Sequence, residues 1–309
     1  MIRGLLVNYP KANCSIYESG KMIYDIVSRY SDEVKIDYLE TYANDFVLTD
    51  YDFYIINWHP FILKIPPEMI KNTEAKTIAI VMEVDEHELL PYTPKDTFNA
   101  HMIIDPTKNN SPLMYVFPRP LEVEKRLLPL YREDKFTIGS FGLLTPGKRF
   151  EEIVDNANQI GNCVVRINLP PVTFMGDMNQ YQKRLVDYAN MLKSRVAGDT
   201  ELIVTHEYMT KSELIGWCSQ NNINVFPYYR HQPGLSAVTD QAIVAERAIA
   251  ITSCNTFRHM HPYIPHYPEQ SYKQLAESTL EGVLKMKDDW SVESFSTAFD
   301  NMLVDLGLI

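Results

Sequence analysis

The sequence predicts an α/β protein made of two doubly wound domains in tandem. Three observations predict it. Short, nearly uninterrupted apolar runs recur through the first 117 residues. Strands and helices alternate cleanly from residue 136. Two strand–loop–helix turns stand at 136–150 (FTIGSFGLLTPGKRF) and 225–252 (VFPYYRHQPGLSAVTDQAIVAERAIAIT). Uninterrupted apolar runs mark strands covered on both faces, and their alternation with helices makes a parallel sheet. At 309 residues the chain is long enough for two such domains, each of about 150 residues.

The elements follow in order. GLLVN (4–8) reads as a buried strand, and Ser15 to Tyr30 places Ile16, Met22, Ile23, Ile26, Val27 and Tyr30 near helical spacing. Strand runs follow at 34–39, 52–58, 77–82, 101–105 and 113–117, separated by proline-containing segments. FPRPLEVEKRLLPLYREDK (117–135) mixes proline and charge and reads as the connector, so the domains are expected at 1–130 and 131–309. The second half alternates strand and helix at 136–141, 150–160, 163–169, 178–196, 201–206, 211–221, 223–228, 235–246 and 248–252. Ser212 and Glu213 suit a helix start. Two further helices are expected at Tyr272–Lys287 and Val292–Leu303.

Composition narrows the function. Hydrophobic content of 45% and charged content of 22% are those of an ordinary globular protein. No apolar run approaches the roughly 18 residues that span a bilayer, and MIRGLLVNYP is too short for a signal peptide. A cytoplasmic protein with no stable membrane insertion is expected. Cys14, Cys163, Cys218 and Cys254 are widely spaced, with neither CxxC nor a zinc spacing, and are expected as reduced thiols. A net charge of −11 and a pI near 5.2 disfavour nucleic acid as a partner, though a local basic cleft stays open.

The two long turns point to a diphosphate. Helix N-termini offer unpaired N–H groups and partial positive charge. The first loop adds glycines with Lys148 and Arg149. The second adds Tyr228, Arg230, His231 and Gly234 before a helix expected to start near Leu235. Lys148–Arg149 is either a solvated pair or a phosphate grip; the glycines, Pro146 and the second loop favour the grip. His231 is equally readable as a plain loop histidine. Asp240, between Thr239 and Gln241 on an otherwise apolar helix, forms a cleft-facing polar strip or a solvent-facing one. Open parallel sheets bind ligands at the carboxyl ends of their strands, so two sheets with facing carboxyl edges would enclose a cleft.

Residues 136–255 resemble the donor-binding domain of nucleotide-sugar-dependent glycosyltransferases of the GT-B fold, which has two Rossmann-like domains facing across a cleft. The resemblance is to the retaining group that includes sucrose synthases and bacterial mannosyl- and glucosyltransferases. It implies that the Gly139–Arg149 segment, with Gly142, Lys148 and Arg149, contacts the donor diphosphate. It places Asp240 at the second of two acidic positions and Gln232 at the first, where a glutamine can bond a sugar hydroxyl but carries no charge. The family's stretch like EAMACGRPVV is matched by AIVAERAIAIT without its Gly and Pro. It further implies that Tyr208 and Met209 pack on the nucleobase, with His206 near ribose or diphosphate, or simply at a strand end. It implies retention at the anomeric carbon, and a last helix that crosses back to the N-terminal domain.

The chemistry asks for the same residues. Breaking the bond from the anomeric carbon to a diphosphate puts charge on the leaving group, and fixed cations and N–H donors aimed at it lower the barrier. Lys148, Arg149, Arg230 and the amides of Gly234, Leu235 and Ser236 are the candidates. Enough protein charge makes a metal dispensable, so neither metal nor cofactor is required beyond the nucleotide-diphosphate sugar (UDP- or GDP-type) as co-substrate. The N-terminal domain is expected to hold the acceptor. Glu83 and Asp85 (MEVDEHEL), then His59 (NWHPF), stand at strand ends as candidates for a general base or charge stabiliser; a solvated loop is the other reading of DEHE. The acceptor is open among a saccharide, a protein side chain and a modified nucleobase. Two other functions stay open: a nucleotide-sugar epimerase or hydrolase, and a non-catalytic nucleotide-sugar or protein-binding module. A dehydrogenase is disfavoured because GLLVNYP lacks GxGxxG.

Overall fold

Two separate six-stranded sheets carry the chain, and every strand pair in them is parallel. The structure, a computed structural model, describes all residues except 11–13, 30–32, 43–47, 49, 60–62, 64, 85–95, 123–125, 172–177, 231–233 and 268–269. Two units are distinguished. The first comprises Met1–Leu121, Pro233–Leu235 and Asp289–Ile309, and the second Glu122–Gln232 and Ser236–Asp288.

In the first unit the strands are β1 (Ile2–Asn8), β2 (Val34–Glu40), β3 (Phe53–Ile56), β4 (Lys76–Val81), β5 (Ala100–Ile103) and β6 (Met114–Val116). Its helices are α1 (Ser15–Val27), α2 (Pro67–Lys71) and α9 (Val292–Asp305). The sheet order is β2-β1-β3-β4-β5-β6. The apolar runs are continuous because each strand feeds two cores. Leu6, Phe53, Ile55, Ile78 and Ile80 pack on one face with Ile23 and Ile26 of α1 and with Phe295, Phe299, Met302 and Leu303 of α9. Leu5, Val7, Tyr54, Ile56, Ala79 and Val81 pack on the other with Ile70 of α2 and with Trp58 and Phe98.

In the second unit the strands are β7 (Phe136–Phe141), β8 (Cys163–Asn168), β9 (Glu201–Thr205), β10 (Ile223–Phe226), β11 (Ala248–Thr252) and β12 (His266–Tyr267). The helices are α3 (Glu151–Ile160), α4 (Met178–Ser194), α5 (Lys211–Ser219), α6 (Val238–Val244), α7 (Tyr272–Ser278) and α8 (Leu280–Asp289). The sheet order β12-β11-β10-β7-β8-β9 is that of dinucleotide-binding sheets, in which the chain winds outward from β7 and then restarts beside it at β10. No helix among the described residues is long and apolar enough to cross a membrane.

The expected α/β class with two doubly wound sheets is what the structure has. Three details differ. The helix expected at 235–246 is the shorter α6, and residues 235–237 precede it. The helix expected at 272–287 is two, α7 and α8. Thr279 between them donates to the Leu275 carbonyl (2.8 Å) and accepts the N–H of Ile249 in β11 (3.2 Å), so a strand amide is satisfied at the junction. β12 and α2 were not expected, since two and five residues show no periodicity.

The packing of α9 yields a test. Phe299 is fully buried beneath the first sheet, so Phe299→Ala should remove about 3–5 kcal/mol and lower the urea midpoint of the first unit. An unchanged midpoint would take α9 out of that core.

Candidate functional site

Strand order predicts where each unit binds. Ligands lie beyond the carboxyl ends of strands at the point where winding reverses. In the second unit that point lies between β7 and β10, which neighbour each other in the sheet. The loops leaving their ends are the two turns singled out in the sequence, and the structure joins them. Tyr228 donates its hydroxyl to the carbonyl of Phe141, the last residue of β7 (2.8 Å). Tyr229 donates its N–H to the carbonyl of Gly147 (2.7 Å). Gly147 has φ +83°, and a Cβ there would strike the Tyr229 carbonyl, so only glycine allows this approach.

Lys148 lies within this junction. Its side chain enters the interior, and the residue is only 5% exposed. Its Nζ stands 3.6 Å from the centroid of the Tyr228 ring. The ring is itself buried and packed edge-on by Phe150 and Phe226. Gly142 leaves room for the ammonium: a Cβ there would fall 3.0 Å from Nζ and 2.9 Å from the Tyr228 hydroxyl, and its φ of +139° suits glycine. Among the described residues the ammonium meets no carboxylate and no hydrogen-bond acceptor; its company is the ring and the charge of Arg230. Burial first, and Arg230 second, push its pKa well below the usual lysine value. A cation so placed gains roughly 2 kcal/mol or more from the ring face, set against the several kcal/mol that burying an unpaired charge costs. Such a site is a candidate for receiving an anion.

The other candidates fall into three groups. Arg149 is turned away: it has φ +52°, pairs with Glu152 at the start of α3 and lies over the exposed Tyr229 ring (5.7 Å). Arg149 and Lys148, expected to grip together, thus have different partners here, though both line the groove beside α4. Neighbouring side chains diverge, and the acidic first turn of α3 captures the arginine. The amides expected to receive phosphate are also engaged with carbonyls. Ser236 N–H donates to Thr256 (3.0 Å), and Gly234 N–H donates to Val84 within the first unit (3.2 Å). Leu235 precedes α6 rather than starting it. Asp240 is buried in the first turn of α6, with its N–H on the Ala237 carbonyl (3.3 Å), so a solvent-facing placement is ruled out. His231 and Gln232 lie outside the described residues.

The loop after β9 is shaped by Asn168, a residue the sequence reading did not single out. Asn168 accepts from the Thr205 hydroxyl (2.9 Å) and the Glu207 N–H (3.1 Å), and donates to the Glu207 carbonyl (3.0 Å). The signal available was a buried asparagine ending an apolar strand. His206 Nδ1 sits 3.1 Å from the Leu169 carbonyl. Tyr208 is 49% exposed, and Met209 is half-buried. The segment 144–149 also lines a groove of about 480 Å³ with Arg184, Tyr188 and Met191 of α4.

In the first unit the winding reverses between β1 and β3. Asn8 and Asn57 stand at those strand ends and pair: Asn57 Nδ2 donates to Asn8 Oδ1 and to the Ile16 carbonyl (both 2.8 Å), and Asn8 Nδ2 donates to the Tyr17 carbonyl and the Tyr38 hydroxyl (both 2.9 Å). Gly20 of α1 lies so close to both amides that a Cβ would strike them. The sequence marks Asn8 only as the last residue of the GLLVN strand. One strand further, His59 Nε2 meets Glu83 Oε2 at 3.5 Å, with side chains 12% and 42% exposed. Two of the three candidates from this half are thus brought together beyond β3 and β4. Asp85 lies outside the described residues.

No family model and no curated protein sequence matches the chain. Solved structures do. Sucrose-phosphate synthase from Thermosynechococcus elongatus aligns with a TM-score of 0.67 at 9% identity, covering 99% of each chain. The trehalose-6-phosphate protein from E. coli bound with UDP-2-fluoro glucose aligns at 0.65 and 10%, covering 97% of this chain and 98% of that one. The UDP-forming α,α-trehalose-phosphate synthase from Burkholderia xenovorans, in complex with glucose-6-phosphate, aligns at 0.61 and 10%, covering 99% and 100%. Neighbours matched over their whole length, together with two parallel six-stranded sheets, show that this chain has the GT-B fold of nucleotide-sugar glycosyltransferases.

Proposed function

We propose that this chain is a glycosyltransferase that moves a sugar, with retention, from a nucleotide-diphosphate sugar to an acceptor. The observation that carries the reading is the buried ammonium of Lys148 on Tyr228 at the strand switch of the second unit, with no carboxylate partner among the described residues. The fold supports it: a structural neighbour of the same topology holds a UDP-sugar analogue.

In this reading the second unit (proposed extent 131–309, less the last helix) binds the donor. Lys148 and Arg230 face the diphosphate and take up the charge that develops on it as the bond to the anomeric carbon breaks. Gly142 and Gly147 let the two loops close on it. Tyr208, with Met209, offers a flat apolar contact to the base at the end of β9, and His206 stands beside it. Asp240 orients the sugar from the first turn of α6. The first unit (proposed extent 1–130) holds the acceptor. There the His59–Glu83 pair at the ends of β3 and β4 receives the proton of the attacking hydroxyl. The donor is a co-substrate and is consumed, with the nucleoside diphosphate as leaving group. A sugar or sugar phosphate is the acceptor class that the neighbours suggest.

Three outcomes are expected. In a thermal-shift panel of nucleoside diphosphates, at least one should raise the melting temperature of the native protein, and Lys148→Met should abolish that rise. The ligand-free variant should itself melt a few degrees higher, because an unpaired buried cation is gone. A full ligand shift in Lys148→Met would sink the assignment.

The pH dependence has a definite sign. Free Lys148 has a lowered pKa, and a bound diphosphate raises it again. Between the two values binding takes up a proton, so affinity falls as pH rises, by at most about tenfold per pH unit. Calorimetry in buffers of different ionisation enthalpy should record that uptake, and Lys148→Met should show none. Uptake that is unchanged in the variant would point to another group.

For the first unit, His59→Ala and Glu83→Gln should each slow donor turnover by about 10²-fold or more while leaving nucleoside diphosphate affinity within twofold. Equal losses in both quantities would remove the pair from the chemistry.

A further inference from the structure

The anion site has a support that no sequence pattern announced. The turn after β11 lies against the loop after β10 and holds it at alternate residues. Thr252 donates its hydroxyl to the Tyr228 carbonyl (2.6 Å). Thr256 accepts the Ser236 N–H on its carbonyl (3.0 Å). His259 Nε2 lies 3.4 Å from the Thr239 hydroxyl, which itself donates to the Ser236 carbonyl (2.9 Å). Between these contacts Cys254 makes the one that bears on charge. Its thiol accepts the Arg230 N–H (3.1 Å) and donates to the Arg230 carbonyl (2.8 Å), and its own N–H is held by Thr252 Oγ1 (3.3 Å).

We propose that Cys254 is the positioning residue of the anion site: its single side chain satisfies both backbone groups of Arg230 and so sets the arginine beside Lys148. The proposal rests on the diphosphate reading above and adds the part that fixes its second cation. Three features argue for it. The thiol is 8% exposed, so its hydrogen bonds are made where water competes poorly. A thiol both donates and accepts, which lets one side chain close a ring with both the N–H and the C=O of one residue. Fixing that residue's backbone removes the freedom that an ion-binding arginine otherwise loses on each binding event. Contacts at Ser236 and Thr239 brace the loop further along, but those of Thr252 and Cys254 fall at Tyr228 and Arg230. These are the ring under the ammonium and the cation beside it.

The same proximity explains why an anchor is needed. Arg230 and Lys148 carry like charges, and Arg230 is the residue that disfavours the charged form of Lys148. The geometry agrees: Arg230 Cγ lies 3.4 Å from where a Cβ on Gly147, the residue before Lys148, would stand. Anchoring the Arg230 backbone keeps the pair preformed, so the ligand's own charge is spent on binding rather than on collecting the arginine.

A double-mutant cycle tests this, with nucleoside diphosphate affinity read by calorimetry on the full chain and with the parent nucleoside as control. Cys254→Ala should weaken diphosphate binding about tenfold, the scale of one charge-assisted hydrogen bond, and nucleoside binding less than twofold. Cys254→Ser, which keeps a donor and an acceptor, should recover most of the loss. Arg230→Gln should cost at least as much as Cys254→Ala, and combining the two should cost no more than Arg230→Gln alone. Additive losses, or equal losses for diphosphate and nucleoside, would reduce Cys254 to a structural residue and overturn the proposal. If Cys254→Ala does not fold, Cys254→Val, which fills the space but neither donates nor accepts, carries the cycle by the same additivity criterion. Native affinity in Cys254→Ala with binding lost in Lys148→Met defeats this inference alone. Native affinity in Lys148→Met defeats the diphosphate reading itself.

Discussion

Burying an ammonium without a counter-charge costs several kcal/mol, and the second unit is arranged around meeting that cost at Lys148. The ring of Tyr228 supplies a negative face at 3.6 Å. Phe150 and Phe226 hold the ring edge-on, and the Tyr228 hydroxyl is tied to the end of β7. Two glycines are required by the same constraint. Gly142 leaves space for the ammonium, and Gly147 lets the backbone of the first loop accept a hydrogen bond from the second. On the proposed reading, the residual cost is what would favour an anion there, because a ligand that brings negative charge relieves it.

Topology decides where such a site can stand. Each sheet reverses its winding once, between β1 and β3 in the first unit and between β7 and β10 in the second. At these points two loops leave neighbouring strands in opposite directions and open a crevice. The two units fill it differently. The second presents charge: Lys148 and Arg230. The first presents amides, Asn8 and Asn57, with the His59–Glu83 pair one strand further on. A cationic crevice suits a diphosphate, and an amide-lined one suits hydroxyl groups. That division matches the proposed roles of donor and acceptor units.

Much of the fold was legible in the sequence. Strands buried on both faces are written as continuous apolar runs, so β1, β7, β8 and β11 lie within a residue or two of their expected ranges. Cores such as those around Leu6 and Phe299, or Leu5 and Tyr54, follow from period-two alternation within these runs. Short elements fail this test: β12 has two residues, and α6 has seven where twelve were expected. The two long turns were also legible as a pair, each carrying glycine beside a cation at a strand end, and the structure joins them through Tyr228–Phe141 and Tyr229–Gly147. Their division of labour was not. Lys148 and Arg149 are adjacent letters, yet one is buried on an aromatic ring and the other pairs with Glu152 at the surface.

What the sequence alone determined is the class of the protein: local hydrophobic periodicity and glycine placement depend on neighbours within a few residues, and they specify two parallel α/β sheets with cationic and polar strand ends. What only the tertiary structure decided is which of those ends act together. Lys148 and Tyr228 are 80 residues apart in the chain, and Arg230 and Cys254 are 24 apart. Their meeting depends on the order in which strands pair. That order is set by the packing of whole sheets and helices, a sum over many weak contacts that no short segment encodes.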